Sequence, residues 1–171
     1  MIDITVAPAG QQAIAKEVND VDALGKTLEH DSHFQAFAQA GEAWSKSAEV
    51  QTSVKQIEAW SKTQQAKDLE TAGKDLDAEL KGAATEIPNG VRIANAKLPA
   101  IEKRAKDLEA RLKQLKPTPE IEAAFKSASW KNVEAKGDAF AASAKGQQLK
   151  KEIDEVIAAL QAHVKVTDIP K

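Results

Sequence analysis

The sequence predicts an all-α protein, an antiparallel bundle of long amphipathic helices arranged as two duplicated helical units. Three observations predict it. Ala, Lys, Glu, Gln and Leu dominate, while Gly, Pro and aromatic residues are few, with aromatics at 4%; this balance favours helix over sheet. Apolar residues recur at helical spacing along most of the chain. A stretch near the N-terminus also recurs 96 residues later. At 171 residues the chain fits a single domain spanning 1–171, with an arm over 1–9, helical halves over 10–82 and 90–165 and a tail over 166–171. Helix content of about 80% is expected, well above the globular average.

Taken in order, Ile2, Ile4 and Val6 alternate with polar residues and end at Pro8, which reads as an extended arm. The tail Val164–Pro170 alternates in a similar way; pairing of the two ends is an option and fraying is the expectation. A first helix is expected from Gly10 to His30, with Ile14, Val18, Val21, Leu24 and Leu28 on one face. Asp31-Ser32 stops it, and Ser32 with Gln35 resembles a capping box for a second helix. Along that helix Glu42–Ser47 recurs almost unchanged as Glu58–Thr63. At about 100° per residue, a shift of 16 turns the second Trp roughly 160° away from the first, so an unbroken helix cannot bury both. A break is therefore expected near Val50–Ser53. Val54, Ile57, then Leu69, Gly73, Leu76 and Leu80 continue the apolar stripe to Gly82, and Ile87-Pro88-Asn89-Gly90 forces a turn. Leu98, Ile101, Ala105, Leu108, Leu112 and Leu115 then follow 3,4,3,4,3 spacing, a coiled-coil-like seam that Lys116-Pro117-Thr118-Pro119 ends. Helices over 120–128 and 129–164 complete the reading, with Gly137 and Gly146 as interruptions.

The long repeat matches 34–58 with 130–154. Gly41/Gly137, Ala43/Ala139, Ser47/Ser143, Ala48/Ala144, Gln51/Gln147, Lys55/Lys151 and Ile57/Ile153 are identical. Phe34/Trp130, Phe37/Val133 and Trp44/Phe140 are conservative pairs. Duplication is the expectation this supports. Each copy carries a mid-helix Gly, which costs about 1 kcal/mol relative to Ala, followed three residues later by an aromatic. Phe34, Phe37, Gly41, Trp44, Trp130, Val133, Gly137 and Phe140 therefore form the candidate ligand or partner patch. A helix crossing with aromatic filling explains the same residues and is the favoured account of them.

Catalytic and metal chemistry find little support. The chain has no cysteine, which excludes disulfides, thiolate ligands and cysteine nucleophiles. No phosphate loop, nucleophile elbow or zinc motif is present, so the chain reads as a non-enzyme needing no cofactor. His30 and His33, flanked by Glu29 and Asp31, do not supply the three or four converging ligands of a defined metal site. Asp75, Asp77 and Glu79 lack a calcium loop's glycine and spacing. Ser45-Lys46 and Ser61-Lys62 are neighbours about 100° apart on a helix, which is the wrong geometry for a Ser/Lys nucleophile.

Charge points inward. The net charge of −2 argues against nucleic acid as a partner. Residues 1–86 carry 8 basic and 15 acidic groups and residues 87–171 carry 16 and 11, so the two halves are opposite in sign. The basic segment 97–116 (balance +4) is expected to lie antiparallel against the acidic segment 68–86 (balance −4). No run approaches the roughly 20 apolar residues of a membrane span, and Met1–Val6 lacks the pattern of a secretory signal, which leaves the compartment open. In composition the chain resembles exchangeable apolipoproteins of the apolipophorin type, also Ala/Lys/Glu/Gln-rich amphipathic-helix proteins. That resemblance implies lipid or another amphiphile as an alternative ligand and carries over no site residue. The leading expectation is a soluble, non-catalytic binding or interaction protein with a protein partner or with itself.

Overall fold

The computed structural model describes residues 1–170; Lys171, the last residue of the expected tail, lies outside them. Helix accounts for 77% of the chain in eight segments among the described residues. In chain order the elements are β1 (Ile2–Val6), α1 (Pro8–Leu28), α2 (Ser32–Ser45), α3 (Ala48–Ser61), α4 (Gln64–Ala83), β2 (Ala84–Ile87) and β3 (Gly90–Ile93). A single 3-10 turn (Asn95–Lys97) leads into α5 (Leu98–Lys113), α6 (Pro119–Lys126), α7 (Ala128–Ala142), α8 (Ala144–His163) and β4 (Val164–Asp168).

The fold is not all-α. The expected frayed ends and the turn segment build a four-stranded antiparallel sheet of order β2-β3-β1-β4. Pairing wins over fraying because β1 is flanked on both sides. Ile2, Ile4 and Val6 lie opposite Asp168, Val166 and Val164 of β4, and Ile2 and Ile4 lie opposite Ile93 and Val91 of β3. Apart from Asp168, every second residue therefore adds to one apolar face. On the other face Asp3 lies opposite Arg92, which donates through Nε to Oδ1 (2.7 Å) and through Nη2 to Oδ2 (2.8 Å). The β2–β3 turn is the expected Pro88-Asn89 turn, where Asn89 adopts φ 61°, a conformation that Asn tolerates better than most residues.

Contacts divide the chain into two compact units. One contains the sheet with α4 and α5. Here Leu69 and Leu76 of α4 and Leu98, Ile101 and Leu108 of α5 are half-buried, while Ala105 and Leu112 of the expected seam are exposed. The expected charge pairing is present: Lys97 Nζ lies 3.7 Å from Glu79, and Arg104 lies 3.5 Å from Asp75 and 3.6 Å from Glu79.

The other unit comprises residues 12–58 and 117–161. Here α2 packs antiparallel on α7, α1 meets α8 where Lys145 Nζ donates to Thr27 Oγ1 (3.1 Å), and α3 meets α6 where Ser53 Oγ donates to Glu120 O (3.0 Å). The helix break falls at Lys46-Ser47, not at Val50–Ser53. Ser53 is buried inside α3, where its hydroxyl bonds Glu49 O and Glu120 O and so is not a breaker. Gly137 does not interrupt α7; the later break is at Ser143. Helices thus restart at residues whose side chains accept from the new first turn: Asp31, Ser47 and Thr63, spaced by 16, then Ser127 and Ser143, again spaced by 16.

Candidate functional site

The eight patch residues all lie on α2 and α7, and the caps set their phase. Asp31 Oδ1 accepts from His33 N and Phe34 N, while Ser127 Oγ accepts from Trp130 N, which places Phe34 and Trp130 in the first turns of their helices. The antiparallel pair then sets Phe34 edge-on to Phe140 (centroids 5.5 Å) and Trp44 against Trp130 (4.8 Å). Shifting each residue by the 96-residue offset converts one of these contacts into the other. Between them Phe37 covers Gly137: a methyl group there would lie 3.2 Å from Phe37 Cε2. The equivalent position to Phe37 is Val133, which is buried and smaller, and a methyl group at Gly41 would meet nothing within 4 Å.

Phe34, Phe37, Trp44, Trp130, Gly137 and Phe140 thus meet across the α2–α7 pair, Val133 is buried, and Gly41 meets no neighbour. The sequence reading missed the ring that joins the seam from α6. Phe125 packs against Trp44 (5.3 Å) and Trp130 (4.9 Å), and Trp44 Nε1 donates to Ala124 O at 3.0 Å. Phe125 remains 49% exposed. No protein-family model, no curated protein and no solved structure matches this chain.

The breaks beside the seam repeat bond for bond. Ser47 N donates to Trp44 O and Ser143 N to Phe140 O, both at 2.9 Å. Gln51 Nε2 reaches back to Ser45 O (3.0 Å) and Gln147 Nε2 to Ala141 O (2.7 Å). Val50 N donates to Ser47 Oγ (3.4 Å) and Gly146 N to Ser143 Oγ (3.1 Å). All three pairs differ by 96 in number. The second break is the tighter, since a methyl group on Gly146 would sit 2.0 Å from Phe140 O, whereas Val50 carries its side chain.

Titratable groups cluster elsewhere in the same unit. Glu17 of α1 and Glu152 and Glu155 of α8, all half-buried, bring carboxylate oxygens within 4.8 Å of one another. Lysines compensate them: Lys16 Nζ lies 3.1 Å from Glu17 and 2.8 Å from Asp20, and Lys151 Nζ lies 3.4 Å from Glu155. Hydrogen bonds to Asp20 and Glu17 hold the Lys16 ammonium protonated well above the usual lysine range. Glu120 stays below the usual carboxylate range because its own backbone N–H and the Gln56 side chain donate to it. His33 is exposed, with Nδ1 4.0 Å from Asp31, and neither His30 nor His33 joins the carboxylate group. In the sheet-bearing unit, a groove of about 270 Å³ between α4 and α5 is lined by Asp68, Asp75, Asp107, Arg104 and Arg111, and Arg104 pairs with Asp75 and Arg111 with Asp107.

The remaining chemistry is apolar. Val54 and Ile57 of α3 and Ile153, Ile157 and Leu160 of α8 are exposed, although spacing alone assigned Val54 and Ile57 to the core stripe. Only the phase set by Ser47 and Ser143 turns them outward, which leaves no sequence signal for it beyond the capping serines.

Proposed function

We propose that this protein is a non-catalytic binding protein that presents apolar helix faces to a protein partner. The supporting observation is its surface. Among the described residues no large side chain is fully buried, and twelve large apolar residues are exposed. Exposed apolar residues that share one helix face, such as Ile153, Ile157 and Leu160 of α8, mark interaction surfaces. Gene duplication is part of this reading: the 96-residue correspondence of caps, back-bonds and aromatic contacts supports descent from a helix–serine–helix unit that met its own copy across the seam now formed by α2 and α7.

A second reading, an amphiphile carrier, is favoured by one observation. Helices that bury so little against each other lose little by separating onto an acyl surface. Native mass spectrometry of protein purified from its source separates the two readings. The expected result is a complex with a polypeptide. Retained lipid would replace the proposal with the carrier, and a bare monomer would end both.

A further inference from the structure

The four-stranded sheet ends differently on its two sides. Met1 and Ile169 exchange backbone hydrogen bonds (3.1 and 2.7 Å), so on β4 the residues in step with Ile169, Lys165 and Thr167, aim their N–H and C=O groups at β1. Val164, Val166 and Asp168 aim theirs the other way, where no strand lies among the described residues. Across β1 the same alternation holds, since Val6 N donates away from β4 to Asn89 O at 2.9 Å. At the other edge, Ala94 N donates to Ala83 O (3.0 Å), which turns Ala84 and Glu86 of β2 outward. There the Ala84 N–H is spent on Leu80 O, and Glu86 is charged. Such devices blunt an edge. On β4 the middle outward residue is Val166, 68% exposed and with its N–H and C=O facing open space.

We infer that a second copy of this chain pairs with β4, antiparallel about a two-fold axis at Val166, joining two four-stranded sheets into one. This goes beyond the helix faces of the proposed function and does not use them. The edge itself specifies an extended strand, because outward N–H and C=O groups in alternation are met by another backbone. The side chains specify a second copy. One row across the apolar face reads Glu86, Val91, Ile4, Val166, charged at the β2 edge and ending on an uncovered valine. A two-fold at Val166 repeats that row in reverse, so the apolar residues fall in the middle of the joined sheet and the carboxylates at its two ends. The register sets Val166 opposite itself, Lys165 opposite Thr167 and Val164 opposite Asp168. No like charges stand directly opposed, and all three outward residues fall in pairs that exchange backbone bonds.

Sedimentation velocity of the full chain from about 1 to about 300 µM tests the inference, a range in which a small interface dissociates. Wild type is expected to dimerise with rising concentration. Because the Val166 N–H points away from β1, Val166→Pro removes the donor a partner strand needs and none that β1 uses. It should raise the dissociation constant at least about tenfold with an unchanged far-ultraviolet circular dichroism spectrum, and Glu86→Pro at the other edge should leave it unaltered. Val166→Lys, which keeps the N–H but opposes two ammonium groups, should weaken the dimer as well. Hydrogen exchange of wild type, read by NMR, needs no variant. The Val166 N–H should exchange at least about tenfold more slowly at the highest concentration than at the lowest, while the Thr167 N–H, bonded to β1, is slow throughout. A monomer over the whole range, a dimer indifferent to both Val166 variants, or a Val166 N–H that exchanges equally fast at every concentration overturns the inference. Should wild type stay monomeric while native mass spectra show a different polypeptide, the helix-face proposal stands and the edge pairing fails. A Val166-dependent dimer that retains no other polypeptide upholds the pairing and ends the helix-face proposal.

Discussion

Three glycines of the two repeated stretches differ in what a methyl group would meet. A methyl group at Gly41 meets open space, so Gly41→Ala should raise stability by roughly 0.5–1 kcal/mol through helix propensity alone. The same change at Gly137 pushes on Phe37 at 3.2 Å and should gain less or lose, and Gly146→Ala, 2.0 Å from Phe140 O, should destabilise outright. Urea unfolding of the three variants checks the order, and a stabilising Gly146→Ala would show that the Ser143 break is looser than described. At Asp3 the same scale carries a pH dependence. The Arg92 guanidinium, by hydrogen bonding first and charge second, holds the Asp3 carboxyl below the usual carboxylate range. The stabilisation is therefore fully present above the unfolded value of about 3.9 and is lost as pH falls through the lower folded one. Asp3→Asn should lower the melting temperature at neutral pH and converge with wild type in strong acid, as thermal melts at both pH values would show.

Between elements, the helix breaks decide which residues face inward. At Ser143 the hydroxyl donates to Phe140 O at 2.6 Å and accepts from Gly146 N at 3.1 Å, whereas the equivalent Ser47 Oγ accepts from Val50 N at 3.4 Å. Ser143→Ala should cost about 1 kcal/mol and Ser47→Ala less, since the longer bond is the weaker. Chemical denaturation measures both, and equal losses would remove the distinction between a tight and a loose break. These breaks were only partly legible. The 16-residue recurrence of Glu42–Ser47 required one because a continuous helix would turn the two tryptophans apart. Its location was misjudged because small hydroxyl residues have two uses: Ser53 is buried with two carbonyl partners inside α3, while Ser47 caps. The α4/α5 pairing was legible because opposite charge and the hairpin turn between them leave one inexpensive arrangement.

For the whole chain, thin apolar burial has a calorimetric consequence. Unfolding an ordinary domain of 171 residues raises the heat capacity by about 2.0–2.6 kcal/mol/K. A chain that leaves this many apolar residues in water should give a smaller value, and differential scanning calorimetry of the full chain reads it. A value in the ordinary range would mean that the exposed faces are covered within one chain.

What the sequence determined by itself was local: that most of the chain is helical, that a turn lies at Pro88-Asn89, and that residues of 34–58 recur at 130–154. Propensity, periodicity and turn chemistry act within a few residues, so they are readable without coordinates. Tertiary structure decided what depends on partners far along the chain. Three short apolar alternations became a sheet only because β1 lies between β3 and β4, and a single strand has no backbone partners of its own. Which half of each wide apolar face stayed exposed was likewise set by the number of helices available to cover it, and neither spacing nor composition records that number.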